Sequence, residues 1–163
     1  MLSMLIFCEG PEASGVPKLG RALASLVPGV VRGLVGDVHV VTPSALAYAA
    51  LAEEAGVHHY VGEFERAFGA LKGPWCMALR GDHRVDGAWF DALEAFISEA
   101  PRMALLRSVP QNIAQHLLPR LAPVSGLVWH QSQFAGPLVA SWADLRAGLR
   151  PRLTLSARTH PIA

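Results

Sequence analysis

The segment that decides the fold is GPWCMALRGDHRVDGAWFDALEAF, residues 73–96. Its first part, Trp75 to Leu79, is a short apolar run typical of a buried strand. The polar stretch Arg80 to Arg84 follows. Apolar residues then recur at helical spacing from Ala88 to Ala100, and Asp86 is placed to cap that helix. A buried strand, a polar turn and an amphipathic helix predict one unit of a parallel α/β sheet.

The same alternation extends to both sides of this segment. Strands are predicted at Ser3–Cys8, Asp37–Thr42, Val57–Val61, Trp75–Leu79 and Met103–Leu106, and helices at Lys18–Val27, Ala45–Ala55, Glu63–Leu71 and Ala88–Ala100. Pro28 and Gly29 are expected to end the first helix, and Gly56 the second. This order predicts an α/β fold of three layers, α/β/α, with a mainly parallel, Rossmann-like sheet.

The pattern is less regular beyond residue 107. It predicts helices at Gln111–Leu121 and Trp142–Leu149, and strands at Gly126–Phe134 and Arg152–Ala157. A chain of 163 residues with 52% apolar residues is expected to form one domain, residues 1–163. No apolar run approaches the ~20 residues of a membrane span, and no basic segment precedes the first strand. We therefore expect a cytoplasmic protein in which Cys8 and Cys76 are buried, reduced thiols.

Charge is unevenly distributed along the chain. Residues 1–100 carry seven Lys and Arg against twelve Asp and Glu, whereas residues 101–163 carry seven Arg and one acid. The Arg-rich C-terminal third could meet an anionic membrane surface, which would make the protein membrane-peripheral, or an acidic protein partner. The alternative is that the two halves pack together and neutralise each other. Without aromatic residues among basic ones, no nucleic-acid partner is expected.

Polar residues follow several predicted strands, where ligands of open α/β sheets bind. Glu9, Thr42 and the turn Arg80 to His83 lie there. Asp82 with His83 suits a divalent cation that bridges phosphate oxygens. The alternative is a structural turn in which Asp82 pairs with Arg80 or Arg84.

Several stretches resemble a small bacterial branch of the family 2 glycosyltransferases, which have the A-type fold. The similar stretches are Leu19 to Thr42 (LGRALASLVPGVVRGLVGDVHVVT), Gly73 to Phe96, and more faintly Gly126 to Gly136 and Asp144 to Thr159. The resemblance implies a nucleotide-binding-type half over 1–107 and an acceptor-side half over 108–163. It also implies a nucleotide sugar as ligand, with Mg²⁺ or Mn²⁺ on its diphosphate and a later carboxylate as general base.

The resemblance assigns roles to particular residues. Asp82 matches the metal-binding aspartate, with His83 assisting, and Arg80 and Gly81 occupy the preceding positions. Residues implied to touch the nucleotide, besides Arg80 and Gly81, are Glu9, Glu12 and Thr42. The catalytic base falls at Asp144.

The chain also departs from the family pattern. Thr42 stands where an acid would read the base, and the segment between the third and fourth strands is short. Trp142 lies near the expected carboxylate, and an indole cannot accept the proton. Two functions therefore stay open: a degenerate, glycosyltransferase-like binding or accessory protein, and an active metal-dependent glycosyltransferase. A nucleotidyltransferase is ranked below both, because residues 9–12 (EGPE) are acidic where such enzymes need a basic, Gly-rich loop.

Overall fold

The computed structural model describes residues 1–9, 12–44, 46–99, 102–118, 122–133, 141, 143–145, 153–155 and 159–162. Its strands are β1 (Leu2–Phe7), β2 (Val35–Thr42), β3 (His58–Val61), β4 (Trp75–Arg80), β5 (His83–Arg84), β6 (Met103–Arg107), β7 (Val124–His130), β8 (Leu153–Thr154) and β9 (His160–Pro161). Its helices are α1 (Glu12–Val31), α2 (Leu46–Glu54), α3 (Phe64–Gly69), α4 (Gly87–Ile97) and α5 (Ile113–Leu117). None of these helices is long and apolar enough to cross a membrane.

Seven strands form one sheet in the order β3-β2-β1-β4-β7-β6-β8. The four strands from β3 to β4 run parallel, and β7 runs antiparallel to both of its neighbours, β4 and β6. The prediction of a mainly parallel sheet is confirmed. The insertion of β7 is not predicted by the alternation of strands and helices. It means that residues on both sides of the predicted division at residue 107 share one sheet.

Strand β1 lies at the centre of the core. All six of its residues are buried, as expected of a strand covered on both faces. Met4 and Ile6 pack into a cluster with residues of α1, α2 and α4, whereas Leu5 and Phe7 pack into a second cluster with residues of α3. Helices therefore cover both faces of the sheet, which is the predicted three-layer arrangement.

Helix α1 is longer than the sequence predicts. It begins at Glu12 and passes through Pro17 and Pro28 to Val31, so the prediction that Pro28 and Gly29 end it is wrong. An interior proline costs a helix about 3 kcal/mol through its missing hydrogen bond. Packing of α1 against the sheet and α4 outweighs that cost. Gly33, just after the helix, has a φ of 71° and forms a Schellman motif. Its N–H donates to the carbonyl of Val30, and the N–H of Leu34 donates to that of Gly29.

Two other predicted helix ends are confirmed. Gly56 follows α2 with a φ of 65° and donates its N–H to the carbonyl of Glu53. Asp86 caps α4 by accepting a hydrogen bond from the N–H of Trp89 at 2.9 Å. Helix α5 is shorter than predicted and is capped by Asn112. Most of the helix predicted at 142–149 lies outside the described residues. So does half of the strand predicted at 152–157, which contains β8.

Gly29 tests how closely α1 approaches α4. A Cβ at this position would lie 2.3 Å from Cε1 of Phe90, whose ring is fully buried. Replacing a helical glycine by alanine usually stabilises a helix by up to ~1 kcal/mol. We expect Gly29→Ala instead to lower the free energy of unfolding by about 1–3 kcal/mol, because the ring must move within a packed core. Urea denaturation measures the change.

Gly69 provides a matched control, because a Cβ there would meet nothing within 4 Å. Gly69→Ala should leave the free energy of unfolding unchanged or raise it slightly. Equal effects of the two substitutions would contradict the close packing of α1 on α4.

Candidate functional site

The candidate site lies where β1 and β4 end side by side. The register pairs Phe7 with Arg80, and the N–H of Gly81 donates to the carbonyl oxygen of Phe7 at 2.8 Å. A Cβ on residue 81 would lie 2.6 Å from Sγ of Cys8. A larger residue at position 81 would therefore force the side chain of Cys8 to move.

A small cleft opens at these two strand ends beside the first turns of α1. Its volume is about 70 Å³, and its lining residues are Phe7, Cys8, Glu9, Ser14, Gly15, Lys18, Arg80, Gly81 and Asp82. Pockets that hold small organic ligands usually measure ~300–1,000 Å³. In this conformation the cleft is therefore too small for a nucleotide sugar.

The carboxylate of Asp82 is held by its sequence neighbours on both sides. Arg80 binds it in a bidentate manner, with Nε 3.0 Å from Oδ1 and a terminal nitrogen 2.8 Å from Oδ2. Nδ1 of His83 lies 2.7 Å from Oδ1. Both carboxylate oxygens thus accept hydrogen bonds from side chains within the same turn. This arrangement agrees with the structural alternative, in which Asp82 pairs with Arg80.

These contacts control the protonation of Asp82. Burial by itself raises the pKa of this carboxyl group. The hydrogen bonds from His83 and Arg80, together with their charges, outweigh burial and hold its pKa well below the usual range of an aspartate. The carboxylate is therefore ionised at neutral pH and is already neutralised by the guanidinium.

Backbone hydrogen bonds fasten the same turn to the C-terminal segment. Strand β5 pairs antiparallel with β9, with His83 opposite Pro161, and the N–H of Ile162 donates to the carbonyl of Asp82 at 2.8 Å. Nε2 of His160 lies 3.1 Å from Oδ2 of Asp86. The turn that carries Asp82 is thus fixed on its backbone side as well as through its carboxylate.

The described residues do not fit a divalent cation at this turn. A cation would have to displace a bidentate guanidinium from Asp82, and no three His, Cys, Asp or Glu side chains are grouped to bind a metal in the part of the chain that the structure describes. Mg²⁺ and Mn²⁺ prefer several oxygen ligands. The predicted metal role of Asp82 and His83 is therefore without support from this arrangement.

The structure brings several of the predicted site residues together. Glu9, Arg80, Gly81 and Asp82 all line the cleft. Thr42 does not line the cleft. Its buried hydroxyl donates to the carbonyl of Ser44 at 2.8 Å and accepts from His59 at 2.7 Å. The side chain of Glu12 lies outside the described residues.

Asp144, the predicted general base, is exposed and does not line the cleft. Its Oδ2 accepts a hydrogen bond from the hydroxyl of Ser141 at 2.7 Å, and its backbone N–H donates back to that hydroxyl at 3.2 Å. Leu145, the next residue, is fully buried in the cluster under α3. Trp142 lies outside the described residues, so its predicted position near the base stays a prediction.

Sequence reasoning missed the contribution of α1 to the cleft. Ser14 and Lys18 both line it. Their spacing of four residues places them on one face of a helix, which is a signal that the sequence carries. The prediction missed this pair because the predicted helix begins only at Lys18 and so excludes Ser14.

The Arg-rich C-terminal third is only partly described. Arg102 pairs with Glu99 and lies 4.4 Å over the ring of Phe96, and Arg107 donates to the carbonyl of Ala122 at 2.7 Å. These two arginines are engaged within the protein. The other five lie outside the described residues, so a membrane or acidic partner for this third stays a prediction.

Solved structures of several transferases and synthases share this architecture. 4-Diphosphocytidyl-2C-methyl-D-erythritol synthase from Anaerococcus prevotii superposes with a TM-score of 0.62 at 9% identity, covering 99% of this chain and 89% of that one. TarS 1–349 from S. aureus gives a TM-score of 0.59 at 13% identity, covering 99% of this chain and 60% of that one. Mannosyl-3-phosphoglycerate synthase from Rubrobacter xylanophilus gives a TM-score of 0.57 at 14% identity, covering 82% of this chain and 55% of that one.

The chain has the α/β fold of these three proteins. It spans little more than half the length of the last two of these proteins. At identities this low the likeness shows the fold alone. No protein-family model matches the chain, and no curated protein sequence matches it.

The cleft predicts an unreactive thiol at Cys8. Burial, with a contribution from the negative charge of Asp82, raises the pKa of Cys8 to about 12. Because the thiolate is the reactive form, native Cys8 should react with iodoacetamide at pH 8 far more slowly than in the urea-unfolded chain. Asp82→Asn should speed the reaction of Cys8 but not of Cys76, whose pKa is likewise raised to about 12, mainly by burial. Mass spectrometry resolves the two sites, and equal native and unfolded rates at Cys8 would contradict the expectation.

The ion pair at Asp82 predicts a defined dependence of stability on pH. A carboxyl group whose pKa is lower in the folded state stabilises the protein fully above its unfolded pKa of ~3.9 and loses that effect as the pH falls through the folded value. Asp82→Asn should therefore lower the free energy of unfolding at pH 7, and the difference from the wild type should shrink below about pH 4.

Urea denaturation at a series of pH values measures this difference. Asp91→Asn is the matched control, because Asp91 forms an exposed ion pair with Arg32. Exposed pairs contribute little, so this variant should stay close to the wild type throughout. A stability gap for Asp82→Asn that does not change with pH would refute the ionic role of Asp82.

Proposed function

We propose that the protein is a degenerate, family 2-like glycosyltransferase domain that transfers little or no sugar and acts through binding, as an accessory protein. The observation that carries this proposal is the state of Asp82. The one carboxylate that matches the family's metal-binding aspartate is bound on both oxygens by Arg80 and His83.

Two physical consequences support the loss of transfer. Guanidinium stays protonated at every accessible pH, so Arg80 does not release Asp82 by titration. Removing it would also leave a partly buried carboxylate without its partner, which is costly. The cleft beside this pair, at about 70 Å³, leaves no room for a nucleotide sugar unless the pair opens.

An active metal-dependent glycosyltransferase is the alternative, and one observation favours it. Lys18 and Arg80 both reach the cleft at the strand ends, where two cationic side chains could bind a diphosphate. In this alternative Asp82 and His83 would hold Mg²⁺ or Mn²⁺ after Arg80 released the carboxylate, and the ion would supply positive charge for the leaving diphosphate. Asp144 accepts the proton of the acceptor hydroxyl.

Calorimetry separates the two functions. A thermal-shift screen of nucleotide sugars first identifies the best ligand, which is then titrated with Mn²⁺ or with EDTA present. The degenerate protein is expected to show no gain in affinity with Mn²⁺ and no release of nucleoside diphosphate. Micromolar, Mn²⁺-dependent binding with turnover that Asp82→Ala abolishes would establish the alternative.

The block on the metal site is itself testable with Mn²⁺ alone. Arg80→Gln removes the guanidinium and frees Oδ2 of Asp82, whereas Oδ1 still accepts a hydrogen bond from His83. The Mn²⁺ affinity of this variant should exceed that of the wild type by about tenfold or more, on the scale of one lost charge-assisted contact. Arg84→Gln is the matched control, because Arg84 is an exposed arginine in the same turn with no contact to Asp82 among the described residues. Equal Mn²⁺ affinities of the wild type and Arg80→Gln would show that Arg80 does not block the site.

A further inference from the structure

A second pocket lies at the opposite end of the sheet, where β2 and β3 begin. Its volume is about 480 Å³, and the polar side chains in its lining are Asp37, His39, His58, Tyr60 and Lys72. None of these residues belongs to the cleft at the strand ends. Unlike that cleft, this pocket lies within the size range of ligand-binding pockets.

A chain of hydrogen bonds runs from the backbone into this pocket. The N–H of Gly73 donates to Oγ of Ser3 at 2.7 Å, and that hydroxyl donates to Oδ1 of Asp37 at 2.6 Å. Oδ2 of Asp37 accepts from Nε2 of His39 at 2.6 Å. Nδ1 of His39 lies 3.2 Å from the hydroxyl of Tyr60. Three strands and the segment before β4 are thus joined by one chain that ends at Tyr60.

The position of the proton on His39 decides what Tyr60 offers to a ligand. Because Asp37 accepts at Nε2, that nitrogen carries a proton in either charge state of the imidazole. In neutral His39, Nδ1 accepts the hydroxyl proton of Tyr60. In the imidazolium, Nδ1–H donates to the oxygen of Tyr60, and the hydroxyl proton is then free to point into the pocket. Protonation of His39 therefore turns Tyr60 into a hydrogen-bond donor toward a ligand.

An anion in the pocket would interact more favourably with the imidazolium of His39 than with the neutral ring. The side chain of His39 is 4% exposed. Its ring stacks on the rings of His58 and Tyr60, with centroid distances of 4.8 Å and 5.8 Å. Ser3 and His39 bind both oxygens of Asp37, and Lys72 is an exposed cation in the lining of the pocket. An anion would add a second negative charge beside His39 and raise its preference for the imidazolium.

We propose that this pocket binds a small tetrahedral oxyanion, with Lys72 supplying charge and the hydroxyl of Tyr60 donating a hydrogen bond, and that His39 takes up a proton on binding. Asp37 and Ser3 are positioning residues, because they fix the tautomer and orientation of His39. The proposal does not depend on the function proposed above, since no residue is shared between the two sites.

Sulfate is the probe of choice, because it does not itself titrate near neutral pH and any proton uptake then belongs to the protein. Long-range ¹H–¹⁵N spectra of the imidazoles follow His39 during a sulfate titration at fixed ionic strength, with chloride as the reference ion. Sulfate should convert His39 to the imidazolium. By linkage, sulfate affinity should fall by up to about tenfold per pH unit above the range in which imidazoles titrate.

Two variants test the assigned contacts. Tyr60→Phe keeps the stacked ring but removes the hydroxyl, and Lys72→Met removes the charge from an exposed position. Each should weaken sulfate binding by about tenfold or more, and Tyr60→Phe should also weaken the coupling to pH. His59→Asn is the matched control. His59 lies between His58 and Tyr60 in the sequence, but its side chain bonds to Thr42. It should bind sulfate as the wild type does.

Three results would overturn the proposal. One is a His39 spectrum that responds equally to sulfate and chloride. Another is sulfate binding that is unchanged in both Tyr60→Phe and Lys72→Met. The last is sulfate binding without proton uptake, measured by calorimetry in two buffers of different ionisation enthalpy.

Discussion

The close pairing of β1 with β4 is the constraint on which the rest of the structure depends. Strand β1 is buried on both faces, so its neighbours and the helices above and below must be present together for any of them to be stable. The pairing places Phe7 opposite Arg80 and brings Gly81 against Cys8. A side chain at position 81 would displace Sγ of Cys8, and the charged residues of the turn that follows lie close to the end of β1.

That restricted space explains the chemistry at the strand ends. Within it an aspartate, an arginine and a histidine satisfy one another, and both oxygens of Asp82 are engaged. The solved structures that share this fold are transferases and synthases, but fold alone does not supply a reaction. In this chain the strand ends hold an internally neutralised turn, whereas the wider pocket lies at the amino ends of β2 and β3.

The two ends of the sheet also differ in how they were recognisable. The turn at Arg80 to His83 stands out in the sequence because three polar residues and a glycine interrupt an apolar pattern. The chain through Ser3, Asp37 and His39 does not, since each residue sits singly within a strand. Asp37 and His39 are two residues apart, which places them on one face of β2. Only the pairing of that strand with β1 and β3 shows that this face meets Ser3 and Tyr60.

The sequence by itself determined the three-layer α/β fold, most strand positions, the cap at Asp86 and the helix end at Gly56, because these depend on local periodicity and backbone preference. Tertiary structure decided the rest. Helix α1 continues through Pro28 because packing against Phe90 and the sheet outweighs a local penalty. Strand β7 enters between β4 and β6, and Arg80 binds Asp82, through contacts and charge pairing that become defined only once the strands are paired. Such contacts depend on distances in space, and the linear order of residues does not encode them directly.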